Sequence, residues 1–404
     1  MLTYSYTARN PQTGKQVKAT VQADSEYAAA KLISAQGLVA TDVVMQGEKG
    51  SLGFKGKVKA KDRVLFSRQL STLINAGLPL LQALRSVNNQ TTSKPLKIVL
   101  SQVIGDVEGG GTLANAMGKH PRVFSQVYLS LIAAGESSGT LDQALDRLAI
   151  QQEKAADLNS KIRGAMIYPV VVLGVMILVI GFMVVKVLPQ VKSIYEGMQG
   201  KELPLLTRIM LAVSDFVIDY WWVIVLILGF GIFFTTRWAR TGPGKQVIDK
   251  LKMRAWPIGS LFMKVYMARF ARTGTTLVAS GVPLLQMLNI TAQAVNNVHI
   301  FGAIMRASEK VKGGKSLADS IDNDPNFLPL VPNMLRIGEQ SGAIEQMMAK
   351  VADYYEKEVD TEVDNISSII EPVMMVALGI VAFMIVAAVL LPIYGLAGSD
   401  NLAG

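Results

Sequence analysis

Two long apolar stretches constrain what this chain of 404 residues can fold into more than any other feature. The first runs from Pro169 to Pro189 with one charged residue, Lys186, and the second runs from Pro372 to Pro392 with none. A helix of that length is about 28 Å long, which is enough to cross the hydrocarbon core of a bilayer. Each stretch begins with a proline suited to the first turn of a helix and ends in Leu-Pro. The sequence therefore predicts two duplicated membrane-crossing helices.

The duplication extends through the polar segments that precede the two stretches. Residues from Phe66 to Ala114 have counterparts 204 positions later, and after a one-residue deletion near Pro325 the offset becomes 203. Two turn patterns recur, Gly-x-Pro-Leu and Gly-Glu-x-x-Gly, and both lie between segments with helical periodicity. The duplicated turn residues are Gly77, Pro79, Gly135, Glu136 and Gly139 in the first repeat and Gly281, Pro283, Gly338, Glu339 and Gly342 in the second.

The patterns predict a mainly α, polytopic membrane protein with two repeated helical-bundle domains, three transmembrane helices and a small N-terminal α+β module. The second span, which has no duplicate, lies between the repeats and has aromatic residues at both ends. The predicted segments are the α+β module at 1–46, a basic linker at 47–61, helical domain 1 at 62–165, a span at 166–189, a loop at 190–216, a span at 217–236, a basic connector at 237–265, helical domain 2 at 266–368, a span at 369–392 and a tail at 393–404.

Composition excludes several classes of site. The chain has no cysteine and two histidines, so thiolate chemistry, disulfides and a histidine-built zinc site are not expected. A net charge of +9 fits a chain that contacts anionic lipid, and we predict membrane lipid and no nucleic acid as a partner. The basic linker is either a solvated tether or one that also touches lipid headgroups.

Charge also predicts the orientation of the chain. The first residues lack the basic and apolar regions of a cleavable signal peptide. Basic residues precede the first span and follow the second, and the two repeats must share a side because each precedes the same kind of helix. We therefore expect the N-terminus and both repeats in the cytoplasm, and the loop and C-terminus in the periplasm.

The duplicated Gly-Glu-x-x-Gly motif has two interpretations. It could form a phosphate or cation site, but each copy has one carboxylate and lacks the lysine of a phosphate loop. The favoured interpretation is a helix-breaking turn whose glutamate stabilises a helix N-terminus. The chain shows no catalytic constellation, and we predict no enzymatic activity and no cofactor.

Three functional classes remain open at this point. A transporter or channel would place ionisable groups in the middle of its spans, and these spans lack them. A membrane-tethered adaptor would not need a matched pair of domain-plus-span units. A scaffold that couples cytoplasmic domains to the membrane fits the duplication best.

The arrangement resembles the inner-membrane platform proteins of type IV pilus assembly and type II secretion, the PilC/GspF family. The resemblance covers almost the whole chain and rests on the N-terminal Tyr4-x-Tyr6-x-Ala8, the duplicated turns and the three spans. It implies a non-enzymatic homo-oligomer in the bacterial inner membrane. The implied partners are a hexameric assembly ATPase, a retraction ATPase in retractile pili, pilin or pseudopilin, and other inner-membrane assembly proteins.

Given that resemblance, basic residues near the start of each repeat are candidates for a surface that faces the ATPase. The alternative is that they lie on the solvated faces of amphipathic helices. The candidates are Arg63, Arg68, Arg269 and Arg272.

Overall fold

A computed structural model describes residues 2–9, 11, 16–23, 26–45, 57–196, 205–256 and 258–400. Residues 47–56 of the predicted linker and 197–204 of the predicted loop lie outside these ranges. The chain divides into two compact units. The first comprises Met1–Leu158 and Lys264–Glu356 and contains both repeats, and the second comprises Asn159–Met263 and Lys357–Gly404 and contains the apolar spans.

The N-terminal module is a small antiparallel sheet covered by one helix. Its elements are β1 Leu2–Arg9, β2 Gln16–Ala23, α1 Glu26–Ala35 and β3 Val39–Met45. Strand β1 lies in the centre, paired with β2 on one side and β3 on the other. Tyr6, Ala8 and Ile33 form its buried core, which is small enough that the module gains from the contact of α1 with the first repeat.

The first repeat is a helical bundle whose helices begin close to the positions that the periodicity predicts. They are α2 Ala60–Asn75, α3 Leu80–Gln90, α4 Lys94–Glu108, α5 Leu113–Gly118, α6 Gln126–Ser138 and α7 Leu141–Ala165. Phe66, Phe124 and Tyr128 stack in its core, with 6.1 and 5.0 Å between successive ring centroids. Burial raises the pKa of Tyr128, whose hydroxyl lies 3.2 Å from that of Ser67.

The second repeat has the same sequence of helices, and the equivalent aromatic pair lies in its core. Phe270 and Phe327 meet edge to face with 5.4 Å between ring centroids. Five of its helices are α12 Gly259–Ala279, α13 Leu284–Val295, α14 Val298–Lys312, α15 Leu317–Ile321 and α16 Leu330–Ser341. The sixth, α17 Ile344–Asp400, is 57 residues long and includes the third predicted span.

The second unit contains the helices of the spans. They are α8 Ile167–Phe182, a π-helical turn at Met183–Val187, α9 Leu188–Glu196, α10 Leu205–Trp238, α11 Gly242–Arg254 and the distal part of α17. Three helical segments in the described ranges are long and apolar enough to cross a membrane: Leu141–Gln190, Arg208–Trp238 and Ile344–Ala387. Together with the repeats and the N-terminal strands, these segments confirm the predicted fold class.

Several segments predicted as connections between domains and spans contain helices. The predicted loop at 190–216 is helical at both ends, because α9 extends to Glu196 and α10 begins at Leu205. An amphipathic start with apolar residues three and four apart extends α10 ahead of the span, and a non-helical Tyr220 kinks it. Most of the connector at 237–265 is helical, in α11 and the start of α12. The tail is helical as far as Asp400.

The prolines of the two apolar stretches differ in their effect on the helix. Pro169 is the third residue of α8, and the helix breaks just before it, at Met166. A proline cannot donate the bond to the carbonyl four residues earlier, so such a break is expected there. Pro372 lies inside α17 without a break, and so does Pro392. Pro372, which suits the first turn of a helix, is thus not at a helix start, because one helix continues from the repeat into the apolar stretch.

Candidate functional site

The glutamate of each Gly-Glu-x-x-Gly motif binds the N-terminus of a short helix in its own repeat. Glu136, near the end of α6, accepts the backbone N–H groups of Leu113 at 2.5 Å and Ala114 at 2.9 Å. Glu339 accepts the N–H groups of Leu317 and Ala318 at the same two distances. The first N–H groups of a helix have no partner within the helix, and a carboxylate also complements their partial positive charge.

The first glycine of each motif lets two helices approach closely. A Cβ atom on Gly135 would lie 2.6 Å from the Cβ of Ala144, and one on Gly338 would lie 2.9 Å from the Cα of Ile344. Both distances are too short for real contacts, so α6 can lie against α7, and α16 against α17, only with glycine there. The helix does not break at this glycine, which corrects the prediction that the whole motif is a turn.

The second glycine of each motif ends the helix. Gly139 has a φ of 72° and Gly342 a φ of 70°, in the left-handed region that glycine adopts readily. The next residue then donates its N–H back to the first glycine of the motif, with Thr140 bonding Gly135 at 2.9 Å and Ala343 bonding Gly338 at 2.8 Å. The motif therefore closes one helix and orients the next.

These contacts are the ones that the structural interpretation of the motif requires. Both oxygens of each glutamate are used by backbone N–H groups. In the described ranges no group of three or more metal-ligating side chains comes together, at this motif or elsewhere. The Gly-x-Pro-Leu turn is structural in the same sense: Gly77 and Gly281 have positive φ, and Pro79 and Pro283 directly precede α3 and α13.

Two of the four candidate arginines form equivalent ion pairs within their repeats. Arg68 on α2 donates to both oxygens of Glu153 on α7, at 2.6 and 2.5 Å, and also meets Asp146 at 3.1 Å. Arg272 on α12 donates to both oxygens of Glu356 on α17, each at 2.8 Å. A planar guanidinium fits a carboxylate through two parallel bonds, so each pair fixes the angle between its two helices.

The ion pairs shift the ionisation of their members. The hydrogen bond from Arg68 lowers the pKa of Glu153, and the bond from Glu153 raises the pKa of Arg68. Burial opposes the charge of Arg272, but its bonds to Glu356 and Asp353 outweigh that effect and its pKa is raised. Arg68, Glu153 and Arg272 are therefore charged at neutral pH.

The other two candidate arginines are not equivalent positions. Arg63 donates from Nη1 to the carbonyl of Val123 at 2.9 Å, which connects α2 to the segment before α6. Arg269 is partly buried, and desolvation lowers its pKa. Arg63, Arg68 and Arg272 thus bond to groups within their own repeats.

The two repeats contact each other directly within the first unit. Arg147 on α7 donates to the carbonyl of Ala279 at the end of α12, and its Nη1 also lies 3.5 Å from the hydroxyl of Ser280. Gln151, one turn further along α7, donates to the hydroxyl of Thr273 at 3.2 Å. Helix α6 also lies against α13. One face of the first repeat therefore packs on a different face of the second.

A groove of about 830 Å³ opens beside this contact. Its walls include Leu129 and Ala133 of α6 on one side, and Val282 and Pro283 of the Gly-x-Pro-Leu turn on the other. The lining is mainly apolar and contains Lys119 as its one charged side chain among the described residues.

In the second unit, a buried hydroxyl donates a hydrogen bond to a carbonyl of the π-helical turn. A π-helical turn leaves one backbone carbonyl without its usual partner. Ser214 of α10 donates its hydroxyl to the carbonyl of Val184 at 2.6 Å and is fully buried. Met183, Leu188 and Leu211 pack around this bond, and Lys192 pairs with Asp215 at 2.9 Å nearby. The two helices are thus joined by both polar and apolar contacts.

Sequence reasoning missed the carboxylate partners of the arginines. Glu153 and Glu356 are separated by the same offset of 203 as the Gly-Glu-x-x-Gly motifs, while Arg68 and Arg272 are separated by 204. Comparing charged positions between the repeats would have identified both pairs. The bond of Ser214 to Val184 had no such signal, because α10 has no counterpart within the chain.

Comparison with known proteins agrees with the duplication. The family described as "Type II secretion system (T2SS), protein F" matches residues 66–189 and again 270–392. The N-terminal domain of the same family matches residues 1–44. The match thus includes the N-terminal module, both repeats and the first and third spans.

Curated relatives match over nearly their full length. The type IV pilus assembly protein PilC of Thermus thermophilus is 39% identical, with 99% of each chain covered. The PilC of Pseudomonas aeruginosa is 35% identical over 85% of this chain and 92% of its own. The type II secretion system protein F of the same species is 33% identical over 98% of this chain and 99% of its own. With its two matched repeats, the chain belongs to the type II secretion system protein F family, which includes the PilC proteins of type IV pilus assembly.

Proposed function

We propose that this chain is a non-enzymatic platform protein of the bacterial inner membrane that serves a type IV pilus or type II secretion machine. The observation that carries the proposal is the duplicated family domain, each copy of which includes a helix able to cross a membrane. Relatives at 33–39% identity are named as pilus assembly or secretion system proteins. In this proposal the platform couples a hexameric cytoplasmic ATPase to the insertion of pilin or pseudopilin into the fibre.

The packing of the repeats supports one cytoplasmic unit. The direct bonds of Arg147 and Gln151 of the first repeat to the second support a placement of both repeats on the same side of the membrane. Basic residues precede the first span and follow the second, at the span ends that are nearest to the repeats in the sequence. This distribution of charge favours a cytoplasmic location of the repeats. In this orientation α9 and the start of α10 lie at the periplasmic face.

The proposed ATPase-facing surface includes Arg63, Arg68, Arg269 and Arg272. Arg68 also holds α2 to α7, so a simple charge reversal would disturb the fold as well as the surface. A swap of the two partners, Arg68→Glu with Glu153→Arg, keeps this ion pair but moves its charges, and Asp146→Asn is added because a carboxylate at position 68 would otherwise repel that of Asp146. If the surface binds the ATPase, the swapped protein folds normally and loses co-purification with the ATPase. Normal co-purification of a folded swap variant would remove Arg68 from that surface.

The proposed function itself is tested by deletion and complementation in the source organism. Deletion of the gene should abolish either surface fibres or secretion of the exported enzymes, and the wild-type chain should restore it. The affected process identifies the machine. A deletion strain that keeps both its fibres and its secretion would contradict the proposal. Purification of the tagged full chain in mild detergent should then recover the ATPase encoded with that machine.

A further inference from the structure

The contact between the two repeats is heterologous, because it joins unlike faces of two equivalent bundles. The first repeat contributes the outer face of α7, through Arg147 and Gln151. The second contributes the outer face of α12, through Thr273 and the backbone at Ala279. Since the repeats share one architecture, each face of this contact has an equivalent in the other repeat. These equivalents, the α17 face of the second repeat and the α2 face of the first, take no part in the contact.

Exposure of the equivalent positions shows that the leftover faces are open. By the repeat offsets, Lys350 and Tyr354 on α17 correspond to Arg147 and Gln151. Both are exposed, and the aromatic Tyr354 is 48% exposed. On α16, Ile337 corresponds to Ala134 in the contact groove and is 52% exposed. The second repeat therefore exposes Ile337 and Tyr354 at positions whose counterparts in the first repeat lie at the contact.

The α2 face of the first repeat is open in the same way. Thr276, on the covered face of α12, is 8% exposed, whereas the equivalent Thr72 on α2 is exposed. Asn75 and Ala76, which correspond to Ala279 and Ser280, are exposed too. The comparison indicates that α2 presents the surface that α12 covers within the chain.

The two open faces keep the bonding chemistry of the internal contact. Lys350 can donate to the carbonyl at Asn75 as Arg147 donates to the carbonyl at Ala279. Tyr354 can bond the amide of Gln69 as Gln151 bonds the hydroxyl of Thr273. We infer that copies of this chain associate head to tail, with the α16–α17 face of one copy on the α2 face of the next, repeating the internal contact of the repeats.

This inference names the surface through which the proposed platform would self-associate, but it rests on the repeats alone. A heterologous contact continues from copy to copy and forms a ring when the rotation closes. It also predicts that no residue of the interface meets its own counterpart in the next copy. That property separates it from a two-fold dimer.

Disulfide trapping tests the inference directly, because the wild-type chain has no cysteine. Two differently tagged full-length chains, one carrying Gln69→Cys and the other Tyr354→Cys, are co-expressed and oxidised in the membrane. A mixed disulfide between the two tags is expected, since paired Cβ atoms then lie within about 4.5 Å. Each variant expressed alone should give no disulfide-linked dimer. The double variant on one chain should give a ladder of linked copies.

Two controls make the result decisive. The intrachain pair Gln151→Cys with Thr273→Cys should close within the monomer, because it reproduces the contact that serves as template. Asn89→Cys, exposed on α3, should not link to Tyr354→Cys. Failure of the Gln69 and Tyr354 pair while the intrachain pair closes would overturn the inference. Self-linking of either single variant would also overturn it, in favour of a two-fold contact.

A measurement of mass in mild detergent separates this inference from the proposed function. The variant Tyr354→Glu should shift the wild-type oligomer to the monomer without changing the thermal unfolding temperature. If Tyr354→Glu keeps the mass of the wild-type oligomer, the inference is contradicted, and the proposed platform function is then tested by the deletion strain alone. If Tyr354→Glu becomes a monomer but the deletion strain keeps both its fibres and its secretion, the proposed function is contradicted and the inference is supported.

Discussion

The carboxylate of Glu136 accepts the backbone N–H of Leu113 at 2.5 Å, although 23 positions separate the two residues. The same bond joins Glu339 to Leu317 in the second repeat. A contact kept in both copies holds the short helix α5 or α15 against the helix that carries the glutamate. The Gly-Glu-x-x-Gly motif therefore fixes the packing of three helices, which are α5, α6 and α7 in the first repeat and α15, α16 and α17 in the second.

Replacement of Glu136 should destabilise the first repeat. The variant Glu136→Ala removes the acceptor for two backbone N–H groups, and hydrogen bonds to charged groups contribute about 1.5–3 kcal/mol. We expect the free energy of unfolding of the full chain to fall by about 2 kcal/mol, measured by denaturant unfolding in mild detergent. Asp157→Asn, at an exposed position on α7, should leave the free energy unchanged. Equal effects of the two variants would contradict the assigned role of Glu136.

Two glycines in neighbouring helices should respond to alanine with opposite signs. In Gly135→Ala the new methyl group meets the Cβ of Ala144 at 2.6 Å, and such overpacking costs about 1–3 kcal/mol. In Gly164→Ala the methyl group meets no atom within 4 Å, and alanine in a helix is favoured by about 0.5–1 kcal/mol. Thermal unfolding of both variants checks the pair. Stabilisation by Gly135→Ala would show that α6 and α7 do not approach as described.

Acid should weaken the first repeat through Glu153. The bond from Arg68 lowers the pKa of Glu153 in the folded chain, so its contribution is present at pH values above the unfolded pKa. That contribution is lost as the pH falls through the lowered folded value. The pKa of an unfolded glutamate is about 4.3. Below about pH 4.5, the unfolding temperature of the wild type should therefore fall more steeply than that of Glu153→Gln. Parallel curves would contradict this assignment.

Removal of the hydroxyl of Ser214 should weaken the contact between α10 and the π-helical turn. In Ser214→Ala the carbonyl of Val184 loses its partner, and hydrogen bonds between membrane helices contribute about 0.6–2 kcal/mol. We expect a loss in that range, measured by unfolding in detergent. Thr235→Ala is the matched control, because the exposed hydroxyl of Thr235 bonds only to Gly231 of its own helix. A larger loss from the control would contradict the role of Ser214.

The sequence was most informative where the chain repeats itself. The turns at Gly77 and Gly281 and the helices that follow them lie where periodicity and the offset of 204 predict them. The sequence did not distinguish Pro169, before which the helix breaks, from Pro372, through which it continues, because a proline breaks a helix in some settings and is tolerated in others. Inside a membrane, neighbouring groups can satisfy the carbonyl that a proline leaves free.

Contacts between residues distant in sequence were the least predictable part of the candidate site. The arginine pattern alone predicted either an exposed binding surface or a solvated face, whereas Arg68 and Arg272 lie against carboxylates on the last helix of their repeats. Which side chains meet depends on how helices pack, and periodicity does not specify the rotation of one helix against another. The repeat offset supplies that missing restraint for Glu153 and Glu356 but not for Arg147.

We propose that both repeats form one unit on the cytoplasmic side of the membrane. Gln82 and Gln286 are equivalent exposed positions in the two repeats, and Ser193 is exposed near the end of α9. Single cysteines at these positions can be labelled in intact spheroplasts with a membrane-impermeant maleimide, because the chain has no cysteine of its own. The account predicts labelling of Ser193→Cys in intact spheroplasts and of Gln82→Cys and Gln286→Cys only after lysis. Labelling of Gln82→Cys and Gln286→Cys from opposite sides would contradict it.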